Sequence, residues 1–341
     1  MVVGGDGDGD AHAVSSNGGG LFSDDAVASE ADDRLGRTQF AGRLVELLDG
    51  VADETSSAVV GLIGAWGSGK TSVLHLVRSR MTGDDRWSVV DFNPWVTADV
   101  AGLTREFIAT VQSALPAHDS ARKRLASYAR RIAPFTSLAA PFGLDPSKAM
   151  SAAADSLSGD VSLEGERRRL EQALSESGHK ILVLIDDVDR LHADELTSLL
   201  KLVRLVGRLP NVFYVLAYDE TTLLDILGRS DVACGMPSRA LAYLDKIVQL
   251  RLDLPPVPQV LLDRMMDETL EQILTANSLE LSREDAERFG VAYHFHLRQV
   301  LAEPRHIKRY FGQVGAVLPL VAAEVDLVDF ALVTFVRTFY P

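Results

Sequence analysis

Eight residues, Gly64 to Thr71 in the order GAWGSGKT, have the types and spacing of a polyphosphate cradle. Gly64, Gly67 and Gly69 carry no Cβ, so the backbone there can curl and turn successive N–H groups inward around an anion. Lys70 would then reach the β and γ phosphates as a point charge, and Thr71 would offer its hydroxyl to Mg²⁺. Trp66, Ser68 and Ser72 complete the candidate loop. A second constellation, Asp186 and Asp187, follows the apolar run in KILVLIDDVDRL (Lys180 to Leu191). Asp186 would hold Mg²⁺ through water, and Asp187 would orient or deprotonate an attacking water. A strand-to-turn cap needs one acid, and here there are two.

Other residues gain meaning from where they fall. Asn93 ends the run WSVVDFN, and Asp219 follows NVFYVLAY. In open α/β sheets ligands bind at the carboxyl ends of strands, which makes Asn93 a candidate contact and Asp219 a candidate γ-phosphate sensor. An ordinary turn aspartate is the competing reading of Asp219. Arg37, in Leu35-Gly36-Arg37, either lies beside a nucleotide base or is a surface arginine at a helix start. Asp189 and Arg190, one turn after the paired acids, read as a local ion pair or a subunit contact. In EPRHIKRYFGQV (Glu303 to Val314), Pro304 would open a helix with Arg305, Lys308 and Arg309 near one face. A basic first turn opposes the helix dipole and suits a compensating anion, against the alternative of a solvated basic face.

The elements that must position these residues are legible in the apolar pattern. SAVVGLI (Ser57 to Ile63) reads as a buried strand entering the glycine turn, and SVLHLVRSRM (Ser72 to Met81) has helical spacing. Before them, Phe40, Leu44, Leu47 and Leu48 form a helical stripe. Further strands are expected at Trp87 to Asn93, from Lys180, at Asn211 to Glu220 and at Lys246 to Pro255. Five strands alternating with helices imply an α/β fold with a doubly wound parallel five-stranded sheet. Residues 99–179 form a helical insertion, and from Pro258 onward the pattern is helical, a C-terminal α-helical lid. The expected division is a disordered acidic tail over 1–33, a core over 34–255 and the lid over 256–341.

Charge and composition narrow the partners. A hydrophobic fraction of 47% and a charged fraction of 24% are those of a soluble globular protein. The net charge of −14 argues against general affinity for nucleic acid, although the first 33 residues hold eight acids and no Lys or Arg, leaving −6 for the remainder. One cysteine, Cys234, excludes an internal disulfide and fits a cytoplasmic protein. No signal-peptide pattern and no run of about 18 apolar residues is present. The insertion holds a basic cluster (Arg122, Lys123, Arg124, Arg130, Arg131) followed by the uncharged Ile132 to Leu144, broken by Pro134 and Pro141. That run is too short to span a bilayer, so it reads as a docked loop, with a membrane-surface or partner contact over 122–144 as the alternative.

Taken together, the chain resembles the KAP family of P-loop NTPases. The resemblance rests on GAWGSGKT, DFNPW, LIDDVDRL, VLAYD, YLDKIVQL and PRHIKR, in that order, and covers about Asp33 to Gly312. It implies an ATP- and Mg²⁺-dependent NTPase of the additional-strand class, whose helical lid contacts the γ-phosphate through an arginine, here Arg305. It also implies that Arg37 matches the adenine-side motif of related signalling ATPases. Bacterial relatives are associated with phage exclusion, where ATP binding drives assembly and an attached module acts.

The leading expectation is a regulatory ATPase that forms a homo-oligomer and couples a signal to an effector or sensor, with Arg229 and Arg239 as candidates for an arginine acting in trans. Two other readings compete. One is a nucleotide-binding scaffold that never turns over. The other is an ABC-type ATPase, suggested by Leu157-Ser158-Gly159 ahead of the acidic strand but opposed by Asp160 where that class has glycine.

Overall fold

The computed structural model describes residues 27, 29–54, 57–97, 99–117, 119–136, 163–206 and 209–340. Most of the acidic tail, the Leu157-Ser158-Gly159 stretch with Asp160, and the side chains of Arg130, Arg131 and the uncharged run lie outside the described residues. The chain divides into two compact units, one of Ala26–Asp263 and one containing Arg264–Pro341.

The first unit is built on five parallel strands: β1 (Ser57–Ile63), β2 (Trp87–Phe92), β3 (Lys180–Ile185), β4 (Val212–Tyr218) and β5 (Leu250–Asp253), in the order β2-β3-β4-β1-β5. The three inner strands are buried almost throughout, which is why they read as unbroken apolar runs. Their side chains alternate between two cores. Val60, Leu62, Leu182, Leu184, Phe213 and Val215 pack on one face with α1 (Arg37–Glu54) and α2 (Lys70–Met81). Ile63, Ile181, Val183, Ile185, Tyr214 and Leu216 face the other way. There they meet α3 (Val100–Ser113), α4 (Ser120–Thr136), α5 (Leu163–Ser177), α6 (Ala193–Val206), α7 (Glu220–Gly228) and α8 (Pro237–Leu244). Each fully buried aliphatic side chain contributes ~1.5–3 kcal/mol, so both the central strands and the helix faces that cover them hold this unit together.

Two sequence expectations need correction here. The uncharged run beginning at Ile132 starts as helix, because α4 continues to Thr136 on the Ala- and Arg-rich turns before it. Strand β5 covers only Leu250–Asp253 of the ten residues expected. The end of α8 turns instead through Ile247 and Val248, whose amides both bond to the Leu244 carbonyl and whose side chains are buried without joining the sheet.

The second unit is helical. Helix α9 (Gln259–Ala276) begins in the first unit and carries the chain into the second, where α10 (Arg283–Ala292), a π-helical turn (Tyr293–Leu297), α11 (Pro304–Val321) and α12 (Leu327–Phe339) follow. Ser282 caps α10 and Asp326 caps α12 through their side-chain oxygens. Tyr310, Phe311 and Phe335 form an aromatic cluster between α11 and α12, with the Tyr310 hydroxyl donating to the Ala331 carbonyl at 3.0 Å.

Candidate functional site

The sheet register places four of the candidate residues along one edge. Ile63 pairs with Tyr218, so Gly64 and Asp219 leave the sheet side by side; Phe92 pairs with Ile185, so Asn93 and Asp186 do the same. The Gly64 N–H donates to the Tyr218 carbonyl at 3.2 Å, and the chain then turns away from the sheet. Gly67 (φ 85°) and Gly69 (φ 96°) take left-handed backbone, which a side chain would disfavour. At Gly64 the need is space, since a Cβ would lie 2.7 Å from Ser68 Oγ.

The loop closes on itself. Lys70 is 8% exposed and donates from Nζ to the Gly64 carbonyl at 2.8 Å and the Ala65 carbonyl at 3.1 Å. Ser68 Oγ is buried with no partner among the described residues. Trp66 stands 64% exposed at the tip. Ser72 Oγ accepts from the Val27 amide at 3.1 Å, which ties the chain ahead of α1 to the first turn of α2.

Thr71 donates from Oγ1 to Asp186 Oδ2 at 2.6 Å. The other oxygen of Asp186 accepts from the Asp187 amide at 2.8 Å, and Asp187 sits in left-handed backbone at φ 55°. Burial, with the neighbouring Asp186 charge added, raises the Asp187 pKa above the usual aspartate value, while Arg190 acts the other way. Arg190 pairs with Asp187 at 2.9 Å and lies over the exposed Trp95 ring at 5.5 Å. The local ion pair expected of Asp189 and Arg190 is therefore Arg190 with Asp187. Asp189 instead accepts from the Asp219 amide at 2.9 Å, linking the end of β3 to the end of β4.

Asp219 also caps α7, accepting from the Thr222 amide at 2.8 Å. Asn93 caps the short 3-10 turn Pro94–Val96, accepting from the Trp95 amide at 3.1 Å. Arg37 is 3% exposed and donates to two carbonyls, Ser68 at 2.7 Å and Pro255 at 2.8 Å. Burial lowers its pKa, partly offset by Asp33, yet a guanidinium stays charged at any physiological pH. The Asp189–Asp219 and Arg37–Pro255 contacts went unread in the sequence because both join segments far apart in the chain.

Oxygen ligands from one hydroxyl and one carboxylate suit a hard cation such as Mg²⁺, which takes one or two carboxylates and completes its shell with phosphate and water. Among the described residues no cluster of three or more His, Cys, Asp or Glu is arranged for a metal, and such an ion needs none. Arg305 lies half-buried in the first turn of α11, behind Pro304, within the second unit. Among the described residues no helix is long and apolar enough to cross a membrane.

A family model described as the KAP family P-loop domain matches residues 37–321. The phage T7 exclusion protein of Escherichia coli (strain K12) is 26% identical over 269 residues, 68% of this chain; the chain spans about a third, 34%, of that protein. Solved structures of similar fold include the Aeropyrum pernix ORC2 protein, at 11% identity over 94% of this chain and 71% of that one with a TM-score of 0.47. They also include the Thermotoga maritima RuvB Holliday junction branch migration motor, at 13% identity over 87% and 67% with a TM-score of 0.39.

Proposed function

We propose, on the premise that this chain belongs to the KAP family of P-loop domains, that it is a Mg²⁺-dependent ATPase acting as a regulatory switch. Membership supports nucleotide binding in general; hydrolysis, oligomerisation and effector coupling are our reading. The observation that carries it is the meeting of Thr71 Oγ1 with Asp186 Oδ2, which joins the phosphate loop to the paired acids. In this reading Thr71 and Asp186 hold Mg²⁺, which when bound neutralises charge on the phosphate oxygens. Lys70 leaves the Gly64 and Ala65 carbonyls for the phosphates. Asp187 orients the attacking water and accepts its proton, and Asp219 reads the γ-phosphate. Residues 34–255 act as the NTPase core and 256–341 as the lid carrying Arg305. The phage T7 exclusion protein suggests a setting in anti-phage defence.

The test is ATP hydrolysis by purified protein with Mg²⁺, comparing wild type with Asp187→Asn while following mass by light scattering. Turnover lost about 10²–10⁴-fold in the variant, with ATP-dependent assembly retained, is the expected result. A wild type that binds ATP tightly but neither turns over nor changes mass would sink the hydrolytic switch. The second reading, a nucleotide-gated scaffold, is favoured by the Asp187–Arg190 ion pair, which occupies the proposed base. A wild type that assembles with ATP but does not turn it over, with Asp187→Asn assembling in the same way, would favour the scaffold.

A further inference from the structure

Arg37 is more deeply buried than Lys70, and its guanidinium is a fork between two backbone segments. One prong holds the carbonyl of Ser68, the residue between the two left-handed glycines of the phosphate loop. The other holds the carbonyl of Pro255, 218 residues away, just beyond β5. The side chain is aimed by the turn before it, in which Gly36 is left-handed (φ 70°) and both Asp33 carboxylate oxygens accept backbone amides, Leu35 at 3.1 Å and Thr38 at 2.7 Å. Nε is buried with no partner among the described residues and lies 3.6 Å from where a Gly69 Cβ would stand, so the guanidinium lies directly against the loop.

Pro255 opens the sequence Pro255-Pro256-Val257-Pro258, after which α9 carries the chain into the second unit. Three prolines in four residues limit φ and make this segment stiff, so a displacement at its first carbonyl is passed along rather than absorbed locally. When phosphate enters, Lys70 has to release the Gly64 and Ala65 carbonyls, which removes two of the bonds that hold the loop in its present shape. Any rotation of the Ser68–Gly69 peptide moves the Ser68 carbonyl, and with it the fork.

We propose that Arg37 is a positioning residue that couples the conformation of the phosphate loop to the Pro255–Pro258 segment leading into α9. The inference rests on the reading that this loop takes the phosphates of a nucleotide. It differs from a base contact, because Arg37 acts through two carbonyls and need not touch the ligand. A lysine would keep the charge but lose the planar fork, so it cannot hold both carbonyls in the same way.

The experiment is hydrogen exchange of the full chain, wild type, Arg37→Lys and Arg37→Met, with and without Mg²⁺ and a non-hydrolysable ATP analogue, with binding measured separately by equilibrium dialysis. In wild type the analogue slows exchange both in Gly64–Ser72 and in Leu254–Asp263. In Arg37→Lys, binding persists and the loop is still protected, but the response of Leu254–Asp263 falls by about threefold or more. Thermal unfolding of Arg37→Lys guards against a simple folding defect, should Arg37→Met fail to fold. A Leu254–Asp263 response equal to wild type in the lysine variant overturns the coupling. Should wild type bind no nucleotide, the functional reading fails and the ligand-free arm decides the brace: loss of the fork speeds exchange in both segments together, and a rise confined to one overturns it.

Discussion

Thr71 and Asp186 are separated by 115 residues in the chain, and their oxygens meet at 2.6 Å. The contact spans β4, the strand that lies between β1 and β3, so it depends on three strands ending in register. If both residues hold Mg²⁺, Thr71→Ala raises the Mg²⁺ concentration for half-maximal ATP turnover by about tenfold, the worth of one charge-assisted contact. Thr71→Ser restores it. A magnesium titration unchanged in the alanine variant removes Thr71 from the metal site.

Asp219 has a structural duty and a proposed chemical one, and two substitutions separate them. Asn can still accept from the Thr222 amide that Asp219 now caps, whereas Ala cannot. Asp219→Ala is expected to lower stability by about 1 kcal/mol, and Asp219→Asn by much less. If Asp219 reads the γ-phosphate, both lose turnover to a similar extent. Urea unfolding and steady-state kinetics on the same pair decide the matter; activity that tracks stability alone leaves Asp219 as a cap.

The turn that aims Arg37 carries its own pH signature. Burial would raise the Asp33 pKa, but the hydrogen bonds that its carboxylate accepts from the Thr38 and Leu35 amides outweigh it, and the net direction is down. A carboxylate lowered in the fold contributes stability that is present above the ordinary aspartate pKa, about 4, and is lost as pH falls through the folded value. Asp33→Ala is therefore about 1 kcal/mol less stable than wild type at pH 7, and the gap narrows in acid. Denaturant melts at several pH values check this; a gap that widened below pH 4 would contradict it.

Gly61, in the middle of β1, is held by space rather than by backbone angle. A Cβ there would lie 2.7 Å from Tyr218 Oη and 3.1 Å from Val248 Cγ1, both in the packed core. Gly61→Ala should cost about 1–3 kcal/mol through overpacking. The readout is the chemical-denaturation midpoint, and a neutral result would mean that the Tyr218 ring can swing aside.

Several parts of this protein were legible because their signals are local. The glycine spacing of the phosphate loop, the apolar runs of the three inner strands and the paired acids after β3 each lie within about a dozen neighbouring residues, where propensity and periodicity act. Weaker segments misled for the same reason. The apolar residues Ile247 and Val248 look like strand, yet burial beside the end of α8 satisfies them without a ladder. Tertiary structure alone decided that β4 separates β1 from β3, that Arg190 pairs with Asp187 while Asp189 holds the Asp219 amide, and that Arg37 grips Ser68 and Pro255. A side chain's type states which hydrogen bonds it can make. Which carbonyl stands opposite it depends on how distant segments pack, and on that packing rests the difference between a surface arginine and a brace.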